Sequence, residues 1–268
     1  MRGRQSRRVN SDAEPARSLE CPPHGPRRRG ARRLRHGVAA HGCEHGLRRP
    51  LYDRLRNVIA DADTGYGGLL NVRHTVQGDE RAGAAAIQLE DQEFPKKCGH
   101  TPGRRVVSAD DMVRKIAVAA EARTSPDFLI IARTDARSSL GLAEAIERAR
   151  AYANAGADLL FVESPETEEE MMTIGREFGD MPLVANMVEG GRTPMLDPKR
   201  LAEIGHALAI YPVAGLLSAA AALNTVYRHI RNTGSSLGSP APLCSFAEMN
   251  RLMGFEDVLA FDQAHTEI

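Results

Sequence analysis

From residue 57 onward, short apolar segments alternate with segments of helical period, and each apolar segment runs directly into polar residues. The predicted strands are Val58–Ala60, Ala86–Leu89, Phe128–Ala132, Leu159–Val162, Leu183–Ala185 and Leu208–Ile210. The predicted helices are Asp110–Arg123, Leu142–Asn154, Thr167–Phe178, Pro198–Ile204, Gly215–Arg231 and Phe246–Ala264. Near-continuous apolar strands separated by helices are typical of a parallel sheet with both faces covered. The sequence therefore predicts an α/β fold.

An open doubly wound sheet and a closed barrel both fit this alternation. The nucleotide-binding form of the open sheet requires Gly-x-Gly-x-x-Gly after its first strand, whereas Gly65, Gly67 and Gly68 are followed by two leucines. All six strands deliver polar residues at their carboxyl ends, which is where barrels build their sites. We therefore predict a (β/α)8 TIM barrel that lacks a normal first two strands, because six strands do not close an eight-stranded barrel.

Residues 1–56 differ from the rest of the chain. They contain 15 Arg, no Lys and 5 acidic residues, with no strand pattern and no amphipathic helix. We interpret them as an anomalous Arg/Pro/Gly-rich segment, disordered or translated out of frame, and assign residues 57–268 to the barrel. A basic arm that binds nucleic acid is an alternative, but the segment lacks interleaved aromatic residues. We expect no nucleic-acid partner.

The apolar runs and the cysteines of the sequence indicate where the protein is located. The longest apolar run, Ala207–Leu223, contains Pro212 and Gly215, so a strand followed by a helix explains it better than a membrane span. The four cysteines are scattered, as expected for a reducing compartment. We predict a cytoplasmic protein without a membrane partner.

Two aspartates follow the first predicted strand. Because side chains alternate along a strand, Asp61 and Asp63 are expected to point the same way. Converging carboxylates are well suited to Mg²⁺ or Mn²⁺, and Glu90 or Asp91 at the next strand end is expected to join them. The alternative is that both aspartates are solvated turn residues, which are common before glycine.

Further polar groups occupy the other strand ends. Arg133 has a rigid donor fork that suits a substrate carboxylate, although an ion pair with Glu163 is the simpler explanation. The Cys98 thiol lies between Lys97 and His100 in a loop, a setting typical of a thiol that carries a proton. An incidental surface cysteine is equally compatible with this loop. Asn186 contributes an amide at the same rim.

Six motifs occur together in order. They are Asp-Ala-Asp-Thr-Gly-Tyr-Gly, Gln-Leu-Glu-Asp-Gln, Lys-Lys-Cys-Gly-His, Ile-Ala-Arg-Thr-Asp-Ala, Phe-Val-Glu-Ser-Pro and Asn-Met-Val-Glu-Gly-Gly-Arg-Thr-Pro. Over about residues 57–265 the chain thus resembles the isocitrate lyase/phosphoenolpyruvate mutase superfamily. The resemblance implies a (β/α)8 barrel, often with its last helix swapped between the subunits of a homo-oligomer, here a dimer or tetramer.

The resemblance also implies a site and a reaction. A Mg²⁺ (or Mn²⁺) would be bound through Asp61 and Asp63 with support from Glu90. A small 2-oxo or 2-hydroxy carboxylate would contact the residues assigned to substrate binding, under a mobile loop that carries the catalytic residues. The substrate-binding residues are Arg133, Glu163, Asn186 and Gly99, and the catalytic residues are Cys98, His100 and Lys97. The implied function is Mg²⁺-dependent carbon–carbon cleavage through a metal-stabilised enolate, as in methylisocitrate lyase or an oxaloacetate decarboxylase-like enzyme.

Alternatives within the superfamily remain open. The phosphonate-forming mutases have a cysteine-free loop where this chain has Lys-Lys-Cys-Gly-His, which disfavours a carboxyvinyl-carboxyphosphonate phosphorylmutase-like enzyme. Methylisocitrate-type lyases carry an arginine shortly after the last strand, whereas residues 213–217 contain none. This favours oxaloacetate or a substituted malate over a tricarboxylate. An inactive paralogue with a damaged amino-terminal region is the remaining alternative, since the superfamily's Ser-Gly substrate loop has no counterpart here.

Overall fold

The computed structural model describes residues 58–266. The interpretation of residues 1–56 and the proposed domain boundary at residue 57 lie outside this range. Within it, every predicted strand is present.

The described residues contain one six-stranded sheet in which the strands lie side by side in chain order. The strands are β1 (Ile59–Asp61), β2 (Ala86–Glu90), β3 (Leu129–Thr134), β4 (Leu159–Val162), β5 (Leu183–Asn186) and β6 (His206–Ile210). Every neighbouring pair is parallel. The predicted α/β fold is confirmed, and the sheet curls as half of a barrel, which is compatible with a partial TIM barrel.

Helices connect the strands and continue after the last one. Those between strands are α1 (Leu69–Ala82), α2 (Ala109–Ala122), α3 (Arg137–Leu140), α4 (Leu142–Asn154), α5 (Glu168–Glu177) and α6 (Pro198–Glu203). Those after β6 are α7 (Ala214–Thr233), α8 (Phe246–Leu252) and α9 (Phe255–His265). No described helix is both long enough and apolar enough to cross a membrane.

Side-chain caps explain why several helix starts could be read from the sequence. Ser108 accepts a hydrogen bond from the Asp111 N–H at the start of α2, and Thr167 accepts one from the Glu170 N–H at the start of α5. Such caps satisfy backbone donors that have no partner inside the helix. By contrast, α1 begins after Gly68 without a side-chain cap, and it was not predicted.

The strands are mainly apolar before their polar carboxyl ends, and nearly all residues of β2, β3, β4 and β5 are buried. Ile130 and Ala132 face the helices, in a cluster with residues such as Met112 and Ile116 of α2. Ile131, between them, belongs to a separate cluster on the other face. Alternate residues of one strand thus enter different parts of the core, which fixes the register of the sheet and the position of its polar ends.

The carboxyl-terminal helices pack differently from the others. None of the residues in α7, α8 or α9 is buried, and large apolar side chains such as Phe246 are exposed.

The prediction of a single helix over residues 246–264 is wrong. Gly254 adopts a left-handed conformation with φ of 74° and separates α8 from α9. Glycine adopts that conformation without the steric penalty of a Cβ atom.

Candidate active site

The sheet brings the predicted site residues to one edge. Asp61, Glu90 and Asn186 are the last residues of β1, β2 and β5, while Arg133 is the penultimate residue of β3 and Glu163 follows β4. Because all strands are parallel, their carboxyl ends meet at the same rim. Glu90 and Arg133 are direct partners in the register between β2 and β3.

The carboxylates of this rim gather around a lysine. The Lys96 ammonium contacts the Asp63 carboxylate and lies 4.0 Å from Oε1 of Glu90. The strand alternation assumed for Asp61 and Asp63 does not extend to Asp63, because β1 ends at Asp61 and Asp63 adopts a positive φ of 49°. The turn instead lets the Asp63 N–H donate to Oδ1 of Asp61 at 3.0 Å.

Glu90 is a buried carboxyl whose surroundings disfavour its charged form. Burial raises the pKa of its carboxyl to about 7, and the nearby carboxylates of Asp135 and Asp61 act in the same direction, whereas Arg133 opposes them. Its Oε2 atom is buried and accepts no hydrogen bond from the described residues. A buried carboxylate oxygen without a partner is costly, so this corner of the site has room for additional positive charge.

This corner can be tested against a divalent metal. Within residues 58–266, no three His, Cys, Asp or Glu side chains are already arranged to hold a metal ion. The chemistry nevertheless fits a hard cation, because Asp61, Asp63 and Glu90 provide only oxygen donors. One oxygen of Glu90 accepts no hydrogen bond from the described residues, and the Lys96 ammonium already lies beside Asp63 and Glu90. The donor set therefore suits Mg²⁺ or Mn²⁺.

Arg133 is held by an aspartate that was not predicted. Its Nε and Nη2 donate to the two carboxylate oxygens of Asp135, both at 2.9 Å. Nε also lies 3.5 Å from Oε2 of Glu90, and Nη2 lies 3.5 Å from Oε2 of Glu163. The guanidinium stacks over Phe161, 5.0 Å from the ring centroid. These contacts fix the guanidinium plane and leave Nη1 without a hydrogen-bond partner among the described residues.

Glu163 connects several of the predicted residues. It is fully buried, and Nδ2 of Asn186 lies 3.2 Å from its Oε2. The Ser164 hydroxyl lies 2.9 Å from Oε1 of Glu163 and 2.8 Å from the Gly99 carbonyl. Ser164 has a φ of 59°, a strained value for a residue with a side chain. In this conformation the hydroxyl lies between Glu163 and the loop that carries Gly99.

His100 bridges two loops over the rim. Its Nδ1 accepts a hydrogen bond from the Arg192 N–H at 3.2 Å, and its Nε2 lies 3.5 Å from Oε1 of Glu163. Burial lowers the pKa of His100, and nearby arginines add to this effect against the opposing charge of Glu163. Because Nδ1 accepts a hydrogen bond, a neutral imidazole in this position carries its proton on Nε2, which is buried and has no hydrogen-bond partner among the described residues.

The Cys98 loop, defined here as residues 92–107, is closed at its base. Gln92 and Val106 form an antiparallel bridge, and the Val107 N–H donates to the Asp91 carbonyl at 2.8 Å. At the tip, the Cys98 side chain is exposed. The Lys97 ammonium donates to the Gly103 carbonyl at 3.0 Å, within the loop itself. The contacts of Lys97 thus hold the loop together.

Gly99 is the point of closest approach between the loop and the rim. A Cβ atom at this position would lie 2.7 Å from Nη2 of Arg133 and 2.8 Å from Cδ of Glu163. Neither side chain can move easily, because Asp135 fixes the arginine while Ser164 and Asn186 contact the glutamate. The absence of a side chain at residue 99 is therefore what lets the loop cover the site.

Comparison with known proteins identifies this arrangement. The chain matches the family described as phosphoenolpyruvate phosphomutase over residues 52–231, about two thirds of its length. The chain belongs to the PEP mutase/isocitrate lyase superfamily. The predicted superfamily is confirmed.

Two curated members of the superfamily and one solved structure show the range of its chemistry. The chain is 49% identical to 2,3-dimethylmalate lyase of Eubacterium barkeri, over 75% of this chain and 69% of that protein. It is 44% identical to 2-methylisocitrate lyase of Aeropyrum pernix, over 75% of this chain and 64% of that protein. The structure of phosphonopyruvate hydrolase in complex with oxalate and Mg²⁺ matches with a TM-score of 0.69 and 31% identity, covering 82% of this chain and 80% of that one. Both curated relatives are carbon–carbon lyases, the enzyme class predicted for this chain.

Two acidic residues within superfamily motifs were assigned incompletely from the sequence. Asp91 was an alternative to Glu90 as a metal ligand, but it faces away from Asp61, Asp63 and Glu90. It instead accepts hydrogen bonds from the Tyr152 hydroxyl and the Asp135 N–H, both at 2.8 Å. Asp135 lies in the motif Ile-Ala-Arg-Thr-Asp-Ala, yet only Arg133 of that motif was selected. Its position directly after β3, at the same rim as Arg133, was a usable signal.

Proposed function

We propose that this protein is a Mg²⁺-dependent carbon–carbon lyase that cleaves a substituted malate or a related 2-oxo dicarboxylate. The observation that carries this proposal is the convergence of Arg133, Glu163 and Asn186 beneath Gly99, beside an acidic corner formed by other strand ends. The names of the relatives point in the same direction.

The acidic corner is proposed to hold the metal through Asp61, Asp63 and Glu90. When bound, Mg²⁺ would supply positive charge to the oxygens of the substrate on which negative charge develops. Lys96, which contacts Asp63, places a second positive charge beside them. This lysine was not selected from the sequence, and its position among the carboxylates makes it a better candidate for electrostatic support than Lys97.

Arg133 is proposed to anchor a substrate carboxylate. Its Nε and Nη2 are occupied by Asp135, so Nη1 remains as the donor that can reach a ligand. The stacking on Phe161 and the hydrogen bonds to Asp135 orient the group before the substrate arrives. An anchor that is already ordered loses less conformational entropy on binding.

Cys98 is proposed to donate the proton that completes the cleavage. In a 2-hydroxy acid the bond between C2 and C3 breaks, the C2 hydroxyl loses its proton to a base and becomes a carbonyl, and the electron pair stays on C3. The Cys98 thiol then protonates C3. The exposed position of the thiol at the loop tip allows this group to reach a substrate held at the rim, while His100 and Lys97 hold the loop around it.

Residues 213–217 support the choice of substrate class. They are Val-Ala-Gly-Leu-Leu and contain no cation for a third carboxylate. A substituted malate therefore suits the chain better than a tricarboxylate. A phosphonate-cleaving or phosphonate-forming activity is the second candidate, because the similar phosphonopyruvate hydrolase shares the fold.

The exposed apolar residues of α8 and α9 support an assembly. Side chains such as Phe246, Leu252 and Phe261 are 82%, 64% and 66% exposed in the single chain. A surface of this kind usually packs against something. We propose that these helices are exchanged between the subunits of a cytoplasmic homo-oligomer, and that the six described strands belong to a (β/α)8-type barrel that lacks a normal first two strands.

Replacing Cys98 with serine tests the proposal. The variant should release pyruvate or glyoxylate from substituted malates about 10²- to 10⁴-fold more slowly than the wild type, because general acid catalysis contributes a factor of this size. Binding of Mg²⁺ should be unchanged. The measurement is release of 2-oxo acid in the presence of Mg²⁺ or of a chelator.

Cys244→Ser is the matched control, since Cys244 is also an exposed free cysteine but lies near α8. Turnover in this control should equal that of the wild type. If Cys98→Ser were as active as Cys244→Ser, Cys98 would not be the proton donor.

A further inference from the structure

Arg104 is a buried arginine of the Cys98 loop that no part of the proposed reaction uses. Its side chain is fully buried, and its Nη1 donates to Oδ1 of Asp135 at 2.6 Å. Its Nε and Nη2 are buried and have no hydrogen-bond partner among residues 58–266. Buried donors without acceptors reduce stability, so this arginine is poorly explained as a purely structural ion pair.

The charges around Arg133 show what Arg104 can contribute. Three carboxylates, those of Asp135, Glu90 and Glu163, lie within 3.5 Å of the Arg133 guanidinium. Lys96 lies 4.0 Å from Glu90, whereas among the described residues Asp135 is ion-paired only with Arg133 and Arg104. Without Arg104, the charge of Asp135 would be set against Arg133 alone and would weaken its attraction for a substrate carboxylate. Arg104 is the additional cation, and it binds the same Asp135 oxygen that accepts the hydrogen bond from Nη2 of Arg133.

Backbone hydrogen bonds of the Cys98 loop fix the position of Arg104. Arg104 is adjacent to the base of the Cys98 loop, where the Glu93 N–H donates to the Arg105 carbonyl at 2.9 Å. The Asp135 N–H in turn donates to Oδ1 of Asp91 at 2.8 Å. Asp135 is therefore held from the backbone by one strand end and from the side chain by the loop that carries Cys98.

We infer that Arg104 is a positioning residue that offsets the negative charge of Asp135, so that Arg133 keeps its own positive charge for the carboxylate of the substrate. This inference rests on the proposed function and adds to it a coupling between the Cys98 loop and the substrate anchor. Arg104 does not touch the substrate itself. It acts through Asp135, which orients Arg133 in the rim.

The test is a double-mutant cycle on the affinity for oxalate, a planar dicarboxylate that resembles the enolate of a 2-oxo acid. Calorimetric titrations in the presence of Mg²⁺ use the full chain and its variants Arg104→Met, Asp135→Asn and the combination of both. Arg104→Met should weaken oxalate binding about tenfold. In the Asp135→Asn background the same substitution should change the affinity less than twofold, because the charge that Arg104 offsets is gone.

Other variants separate charge from packing. Arg104→Lys keeps the charge and should restore most of the affinity. Arg105→Met is the matched control, since the Arg105 side chain is 78% exposed, and it should bind oxalate like the wild type. If Arg104→Met does not fold, as judged by circular dichroism, Arg104→Gln replaces it, with the same expected loss, because glutamine keeps donors and removes the charge.

The outcomes are distinct. If Arg104→Met weakens binding by the same factor in both backgrounds, Arg104 acts by packing and the inference is wrong. If Arg104→Met binds oxalate as tightly as the wild type, the inference is also wrong, while the proposed function stands. If the wild type binds no oxalate with Mg²⁺ present, the proposed function fails, and the inference fails with it.

Discussion

Replacing Gly99 with alanine should reduce lyase turnover at least about a hundredfold while leaving the melting temperature nearly unchanged. The new Cβ atom would lie 2.7 Å from Nη2 of Arg133 and 2.9 Å from Oε1 of Glu163. Both groups are fixed by other contacts, so the loop must move instead. A displacement of about 1 Å in a catalytic element can cost two orders of magnitude in rate.

Gly179→Ala provides the matched control for this substitution. Gly179 lies outside the rim, and the nearest atom to its added Cβ would be the Gly175 carbonyl oxygen at 3.9 Å, an ordinary contact. This variant should retain full turnover. Steady-state kinetics and thermal melting of both variants are the measurements. Normal turnover in Gly99→Ala would show that the loop does not close against Arg133 and Glu163 during the reaction.

Replacing Asp91 with asparagine should instead destabilise the fold, by about 3–5 kcal/mol. Its carboxylate is fully buried: Oδ2 accepts from the hydroxyls of Thr134 and Tyr152, and Oδ1 accepts from the Asp135 N–H. Oδ2 also lies 3.3 Å from Nη1 of Arg148. An amide in this place would direct its NH₂ group at another donor in either orientation, leaving buried donors unpaired.

Chemical denaturation of the wild type and of Asp91→Asn measures this effect. Asp127→Asn is the control, because Asp127 is exposed just before β3 and its replacement should change the free energy of unfolding by less than about 0.5 kcal/mol. An equally small change in Asp91→Asn would mean that the buried hydrogen bonds of Asp91 contribute little to stability.

The positions of the strand ends were predictable because covering both faces of a parallel sheet forces continuous apolar segments. A charged residue that directly follows such a segment is therefore expected at the end of the strand, although the uncharged Gln88 lies inside β2. This is why Asp61, Glu90 and Asn186 were correctly placed at one rim. The same reasoning could not choose between Glu90 and Asp91, because neighbouring residues face opposite sides and the sequence does not say which side is the core.

Contacts that depend on turns and on distant segments were beyond the sequence. Asp63 lies beyond β1 and itself adopts a positive φ, which the alternation of side chains along a strand does not predict. The ion pair between Arg104 and Asp135 joins residues 31 positions apart and depends on how the Cys98 loop folds over β3. Likewise, the apolar period of the last helix did not reveal the break at Gly254.

The most direct measurement of the central claim is a titration with Mn²⁺ followed by electron paramagnetic resonance, which detects bound ions without requiring activity. The wild type should bind one Mn²⁺ per chain. The double variant Asp61→Asn, Asp63→Asn should bind it about a hundredfold more weakly or worse, because it loses two carboxylate ligands. Equal Mn²⁺ affinity in the two proteins would contradict a metal-dependent lyase built on this rim.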